Sequence, residues 1–443
     1  MLQSNKMKRV LIITYYWVPS GGAGVQRWLK FTKYLRQFAW EPVIFTPENP
    51  EYPSIDTSFE RDIPEGIEII KTPIWEPYNF YRILTGKKGE RINAGFISET
   101  KKRSLKDKLS IWIRGNLFIP DPRRFWIKPS IRFLKDYLQH HPVDAVISTG
   151  PPHSMHLIAL GIKKHFPALP WISDFRDPWT DIDFYDELGL TRIADALHRA
   201  LERKVVQHCD CLVTVSESGR KAFLALEPKR SEVISNGFDT EDIPQGQVDR
   251  DAEFSIAHIG TLNQARNPYT LWKVLGELCN EDANFKKDLC IKLIGKTDFS
   301  VVESLKQAGL SDRLRRIDYL PHEEAIRQQQ ASQVLLLLIN KSRNARGILT
   351  GKFYEYLASG RPILAVGPHE GDAAKVLHNT GAGIMVDFDN AAETRDALRK
   401  LYKSYKEGNL EVKTKSTEAY TRRNLTEKYA ELLNELSLEN NET

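Results

Sequence analysis

The chain is poor in cysteine, with four in 443 residues, and equally poor in methionine. Cys209, Cys211, Cys279 and Cys290 offer no disulfide framework, and the Cys-x-Cys pair has no second pair at zinc-ligand spacing. Reduced, structural thiols in a cytosolic protein are the expectation. Long apolar runs are also missing. The longest, residues 334–339, has six aliphatic residues, where a membrane-spanning helix needs about 20. Net charge is nearly absent: 63 Lys plus Arg against 58 Asp plus Glu leave +5, which speaks against a nucleic-acid binder. Lys6, Lys8 and Arg9 precede residues 10–18 much as in a secretory signal, but three aromatics interrupt that stretch and no small-residue cleavage site follows, so no signal is expected. Gly-x-Ser-x-Gly and P-loop signatures do not occur. Asp181 and Asp183 form an Asp-x-Asp of the kind expected by chance among 58 acids. No other acidic or histidine cluster has metal spacing, so neither a metal nor a cofactor is expected.

What is present is ordinary globular composition, 41% hydrophobic and 27% charged, in which short apolar runs alternate with helix-period stretches. That alternation predicts parallel sheets wrapped by helices. Strands are expected at 10–16, 42–46, 67–72, 144–148, 171–173, 211–215 and 232–234, with helices at 155–165 and 191–207 among others. Residues 239–253 are acidic, hold Pro and Gly and carry little apolar content, as a linker would. A second alternation follows, with strands at 254–259, 289–294, 334–339, 362–366 and 383–386. Two α/β domains are preferred over three: residues 1–240, a linker over 241–253, residues 254–414, and a C-terminal helix within 415–443 that packs back on them.

One stretch differs from the rest. Residues 101–137 carry eleven Lys or Arg among Trp112, Phe118, Phe125, Trp126 and Phe133, against three acids. Basic residues beside large aromatics suit an anionic membrane surface; the alternative is a solvated insertion whose aromatics pack on the domain.

Three loops can carry chemistry. Gly22 and Gly24 lie between the first strand and a helix, where backbone N–H groups can approach a phosphate. The third glycine of a dinucleotide fingerprint is replaced by Arg27, and no acid ends the second strand, so a nicotinamide enzyme is disfavoured. Gly351 opens a short helix on which Lys352, Glu355 and Ser359 share one face. The helix N-terminus and Lys352 can hold a diphosphate, and Glu355 can accept from ribose hydroxyls. The plain alternative is a Lys352–Glu355 surface pair. In the first domain His153 and the trio Asp174, Arg176 and Asp177 follow consecutive strands, at the sheet edge where open α/β domains bind ligands. His153 can orient or deprotonate an acceptor hydroxyl. The alternative is an Asp–Arg loop clamp with a capping histidine.

Taken in order, the strand–glycine loop–helix start, the Asn236-Gly237-Phe238-Asp239 turn, His258-Ile259-Gly260-Thr261 with Arg266-Asn267, and Lys352 through Glu355-Tyr356-Leu357-Ala358-Ser359-Gly360-Arg361-Pro362 resemble the GT4-type glycosyltransferases of the GT-B fold. The resemblance runs over nearly the whole chain. It implies two Rossmann-like domains facing a cleft, the second holding a nucleotide-diphosphate sugar and the first an acceptor. It further implies transfer with retention of anomeric configuration and without a required metal. Glu355 matches the second glutamate of the family's Glu-x7-Glu motif, which implies a place at the nucleotide ribose; the first glutamate's position is Gly347. The family's Arg and Lys for the diphosphate fall near Thr261 and Arg266, so one charge is retained, with Lys352 or Arg346 to supply the other.

The expectation is therefore a retaining glycosyltransferase acting on a glycan or lipid-linked acceptor in cell-surface polysaccharide or glycolipid synthesis. It would be cytoplasmic, with peripheral contact to the inner membrane face through 101–137 and no nucleic-acid partner. Two alternatives stay open: a sugar-nucleotide epimerase on the same scaffold, and a non-catalytic sugar-nucleotide-binding assembly protein.

Overall fold

The computed structural model describes residues 7–77, 105–183, 185–244, 246, 248–412 and 414–439. Lys6, residues 101–104 of the basic stretch, 245 and 247 of the linker, 413 and 440–443 lie outside the described residues. The chain divides into two compact units, Met1–Ser235 with Arg422–Thr443, and Asn236–Thr421.

The first unit is a parallel sheet of β1 (Lys8–Ile13), β2 (Trp40–Pro47), β3 (Glu68–Thr72), β4 (Ala145–Gly150), β5 (Trp171–Phe175), β6 (Cys211–Thr214) and β7 (Ser231–Val233), in the order β3-β2-β1-β4-β5-β6-β7. The second holds β8 (Phe254–Ile259), β9 (Leu289–Ile294), β10 (Leu314–Ile317), β11 (Val334–Leu338), β12 (Ile363–Val366) and β13 (Gly383–Val386), in the order β10-β9-β8-β11-β12-β13. Every pairing is parallel. Helices on both faces hide the central strands, which is why β4 and β11 read as continuous apolar or small-residue runs, and β8 and β9 do so apart from the buried His258 and Lys292. The strand order reverses between β1 and β4 and again between β8 and β11, and such switch points leave a crevice at the carboxyl ends of the strands.

β10 was not expected from the sequence. Its Leu-Arg-Arg-Ile lies at a sheet edge with both arginines exposed, and a charged edge strand gives no apolar run to detect. Residues 241–253 are more than a spacer. Asp251 pairs with the buried Lys292 at 2.9 Å, Arg250 with Glu411 at 2.9 Å, and the Asp251 N–H donates to the Ala331 carbonyl at 2.8 Å. The unit division itself falls between Ser235 and Asn236 and between Thr421 and Arg422. The C-terminal helix Arg422–Glu439 packs on the helix Ala23–Leu35 of the first unit.

The basic-aromatic stretch folds as two helices, Leu105–Leu117 and Arg124–His140. Trp126 is buried and stacked on Phe45 at 4.9 Å, and Arg123 is buried against Glu76 at 3.1 Å. Gly161 allows this close packing, since a Cβ there would fall within the Ile131 side chain. Arg124, Phe125, Lys128, Arg132 and Phe133 remain exposed. No helix of the described residues is long and apolar enough to cross a membrane.

At the heart of the first unit lies a buried charge cluster. Arg27 reaches Asp174 at 2.8 Å and donates to the carbonyls of Ile234 and Ser235, each at 2.8 Å. Asp174 also accepts from the Trp28 indole at 2.7 Å, the Thr149 hydroxyl at 2.9 Å and the Tyr429 hydroxyl at 2.8 Å. Burial alone would raise the Asp174 pKa, but the Arg27 charge and these hydrogen bonds outweigh it and hold the carboxyl below its ordinary value. The carboxylate's contribution to stability is thus complete at neutral pH and is lost as pH falls through the depressed folded value, below about 4. Asp174→Ala, which strands a buried guanidinium, is expected to cost about 3–5 kcal/mol, and Tyr429→Phe about 1.5–3 kcal/mol. Thermal unfolding of the full chain at pH 7 checks both; a Tyr429→Phe midpoint equal to wild type would contradict the cluster's role.

Candidate functional site

Each unit gathers polar groups at its own switch point. In the second unit β8 ends at Ile259, and Gly260 follows at φ +119°, a conformation open to glycine. The absence of a side chain matters for space as well, because a Cβ on Gly260 would collide with the Lys352 ammonium. Lys352 arrives from the first turn of the helix Gly351–Ala358. Arg266 comes from the loop after β8 and is held through its Nε by the Asn340 side chain, just past β11. Burial, and then the neighbouring Arg266 charge, lower the Lys352 pKa to about 8, with Glu355 opposing. No carboxylate lies within ion-pair distance of Lys352 among the described residues. At the same helix end the Thr350 side chain provides no cap and its buried hydroxyl has no partner. The first N–H groups of a helix have no intrahelical acceptor, so two cations and these donors converge on one point.

His258, on β8 beside this point, is buried and bonds through Nδ1 to the Leu336 carbonyl at 3.0 Å. Burial, then Lys352, pushes its pKa down to about 3, so the ring is neutral. Glu355, one turn beyond Lys352, accepts from Gln329 at 3.1 Å and lines a small pocket with Phe238, Asp239, Gln330 and Ser359. Phe353, Tyr354, Tyr356 and Leu357 anchor the opposite side of this helix in the core. Tyr356 also accepts the Ile259 N–H at 3.0 Å and so ties the helix to β8. Thr261 is half-buried beside Gly260, whereas Arg346 pairs with Glu370 at the surface.

In the first unit Arg176 is the organising residue. Its guanidinium donates to the carbonyls of Gly24 at 2.9 Å, Gly150 at 3.2 Å and Pro151, joining the loops after β1 and β4 to the loop after β5. Gly24 packs on the Tyr16 ring, where a Cβ would come within 3.0 Å. Gly22, at φ 86°, caps the helix Ala23–Leu35 without a side chain and is exposed. His153 precedes the helix Ser154–His165 and lies flat against Trp179, with ring centres 4.7 Å apart and planes 2° apart. Burial lowers its pKa well below the ordinary value, and its Nδ1 has no partner. Asp121, from the basic stretch, accepts from both the N–H and hydroxyl of Ser154 at 2.9 Å and closes that helix end. Asp177 stands exposed in the loop after β5, whereas Asp174 is enclosed by the donors described above.

The structure therefore gathers Arg266, Gly351 and Lys352 in the second unit, with Glu355 one turn away, and Gly24, His153 and Arg176 in the first. Gly260, Thr350 and Asn340 escaped the sequence reading as site residues. A glycine directly after a buried strand was the available signal for Gly260; nothing local marks Asn340. With its depressed pKa, Lys352 is expected to acylate with a pH midpoint near 8, where an ordinary lysine gives about 10.4. Arg266→Gln, which removes the neighbouring like charge, is expected to raise that midpoint. Mass spectrometry of pulse-labelled protein measures both, and a wild-type midpoint near the ordinary value would contradict the clustering.

Comparison with known proteins bears on this arrangement. A sequence model described as Glycosyltransferase Family 4 matches residues 96–242. Among curated proteins no match is found. Sucrose-phosphate synthase from Thermosynechococcus elongatus is similar in fold, at 11% identity and TM-score 0.59, over 98% of this chain and 97% of that one. The α,α-trehalose-phosphate synthase (UDP-forming) from Burkholderia vietnamiensis superposes at 11% identity and TM-score 0.61, over 98% and 100%. WaaG, a glycosyltransferase involved in lipopolysaccharide biosynthesis, gives 12% identity and TM-score 0.56, over 96% and 99%. Residues 96–242 thus carry a Glycosyltransferase Family 4 match, in a chain that has throughout the GT-B fold of the glycosyltransferases.

Proposed function

We propose that this glycosyltransferase moves a sugar from a nucleotide-diphosphate donor to a glycan or lipid-linked acceptor, with retention of anomeric configuration, in cell-surface polysaccharide or glycolipid synthesis. The observation that carries the reading is Lys352, a desolvated ammonium beside Arg266 at an uncapped helix N-terminus, with no carboxylate at ion-pair distance among the described residues. Like charges are held together out of water only at a cost, and a diphosphate supplies the missing anion. The UDP-forming reaction named for the Burkholderia relative makes UDP-sugars the first donors to test.

In this reading the diphosphate lies at Gly260, Arg266 and Lys352, with Thr261 beside it, and the N–H groups at Gly351 point toward it. As the bond from the anomeric carbon to the departing oxygen lengthens, negative charge grows on the diphosphate and positive charge on the sugar. Lys352, Arg266 and the helix terminus stabilise the former, already in place and requiring no reorganisation. Glu355 receives the ribose hydroxyls. Gly347 leaves the first motif position without a carboxylate, and amides of residues 349–351 take part of its role at the sugar. In the first unit His153 is neutral, the state in which an imidazole can accept a hydrogen bond or a proton from an acceptor hydroxyl, and its buried Nδ1 has no partner within the protein. Arg176 fixes the loops around it, Asp177 and Gly22 face solvent on those loops, and Asp174 holds the sheet edge from within. No metal or cofactor takes part in this scheme. The exposed face of the helix Arg124–His140, with Arg124, Phe125, Lys128, Arg132 and Phe133, is proposed to rest on an anionic membrane surface.

Titration with UDP, GDP and ADP tests the donor site, and absence of binding at millimolar nucleotide would sink the reading. Binding without turnover on any acceptor would instead favour a non-catalytic sugar-nucleotide-binding protein. Lys352→Ala is expected to lower kcat about 10²–10³-fold. Glu355→Ala is expected to weaken nucleotide binding about tenfold or more, read by calorimetry. Vesicle co-sedimentation addresses the membrane proposal: equal partitioning onto neutral and anionic lipid would remove the electrostatic argument.

A further inference from the structure

The helix Arg192–His208 carries His198 and Glu202 four residues apart on its buried side. The Glu202 Oε1 accepts the main-chain N–H groups of Trp179 and Thr180, each at 3.2 Å, and its Oε2 accepts the Thr180 hydroxyl. No cation pairs with this carboxylate among the described residues. The Trp179 indole N–H donates to His198 Nδ1 at 3.0 Å, and His198 Nε2 reaches the Gly115 carbonyl at 3.2 Å. Those two partners fix the tautomer: Nδ1 must be the acceptor and Nε2 must carry the proton, so His198 is neutral. Burial, which lowers its pKa, favours the same form.

The indole is thereby fixed at its ring nitrogen and at its main chain. Its face then lies parallel to His153, with planes 2° apart, while Phe175 lies 5.8 Å from the same imidazole. His153 Nδ1 makes no hydrogen bond of its own. What orients this ring is therefore stacking, and what orients the stacking surface is the pair on the neighbouring helix. A carboxyl group taken out of water with no ion pair among the described residues is an expensive way to fasten a loop that serves only as a connection. It makes sense where the angle of the Trp179 ring has to be exact to a few degrees.

We propose that Glu202 and His198 are positioning residues for the transfer reaction, acting through Trp179 to hold the His153 imidazole in one orientation toward the acceptor. The inference rests on the reading of His153 as a residue of the transfer site. It adds a remote pair, 45 and 49 positions along the chain from the histidine they serve, that touches no substrate.

The test uses the full chain with histidines isotopically labelled, the His153 ring signals being identified by their loss in His153→Asn. In the wild type those signals are expected to be displaced upfield by the ring current of the overlying indole. His198→Ala and Glu202→Gln are expected to shift them toward ordinary values. Both are also expected to lower kcat about 10- to 100-fold, with KM for the nucleotide sugar within about twofold of wild type. Trp179→Phe keeps an aromatic face and is expected to retain more activity than Trp179→Leu, which guards against a variant that fails to fold. Unmoved His153 signals in His198→Ala and Glu202→Gln would overturn the proposal, whatever the activity. So would full activity in Trp179→Leu when His153→Asn is inactive. Full activity in His153→Asn would instead remove the underlying reading of His153, an outcome separate from the ring signals.

Discussion

The first unit depends on one buried carboxylate. Asp174 lies near the end of β5 with its side chain out of water, and five side-chain donors from three parts of the chain converge on it: Arg27 and Trp28 from the first helix, Thr149 from β4, and Tyr429 from the last helix, with Arg27 bonding twice. Arg27 spends its remaining donors on carbonyls just past β7. Segments nearly the whole chain apart thus meet at one charge, and none of them can move without taking a hydrogen bond or the counter-ion from a buried carboxylate. The same requirement explains why the last eighteen-residue helix belongs to the first unit although the second unit intervenes in sequence.

The second unit handles charge in the opposite way. Lys352 and Arg266 approach each other where desolvation is already costly, and Asn340 steers Arg266 without neutralising it. The helix behind them adds the positive end of its dipole and withholds the side-chain cap that would satisfy it. A cluster that exists to stabilise a fold saturates its charges, as Asp174 does. A cluster that leaves a lysine poised near pH 8, with no carboxylate at ion-pair distance among the described residues, is what the proposed diphosphate site rests on. That contrast, drawn within one chain, is stronger support for a diphosphate site than either cation alone.

Much of the architecture was legible in the sequence because a buried parallel strand is a mostly apolar run. Residues 254–259, 289–294 and 383–386 coincide with β8, β9 and β13, and the remaining expected strands shift by one to three residues at their ends. β10 was illegible because its two exposed arginines erase that signal. Lys352 and Glu355 could be read as neighbours from helical spacing alone. The convergence of Lys352 with Gly260 and Arg266 could not, since it joins a loop after one strand to a helix more than eighty residues later. Asp174 shows the limit from the other side: its position at the end of a strand was visible, but the Arg27, Tyr429 and Trp28 that surround it are set by the packing of distant helices.

The loop after β1 shows how a familiar pattern acquires a different physical meaning. Its glycines suggest a phosphate-binding turn, yet the third glycine of that turn is Arg27, and Arg27 is committed to Asp174 inside the unit. Gly24 is accounted for by the Tyr16 ring pressed against it and by its carbonyl, which Arg176 holds. Gly24 therefore serves close packing at the first switch point, while Gly22, exposed and at φ 86°, serves the turn into the helix. The equivalent place in the second unit, after β8, has a single glycine, but there the neighbour that needs the space is a lysine ammonium. Two switch points of the same topology thus differ in what their glycines admit: an aromatic ring and an arginine clamp in one, and an unneutralised cation in the other. That difference supports the proposal that the anionic half of the donor lies at the second sheet and the acceptor at the first, with its neutral histidine.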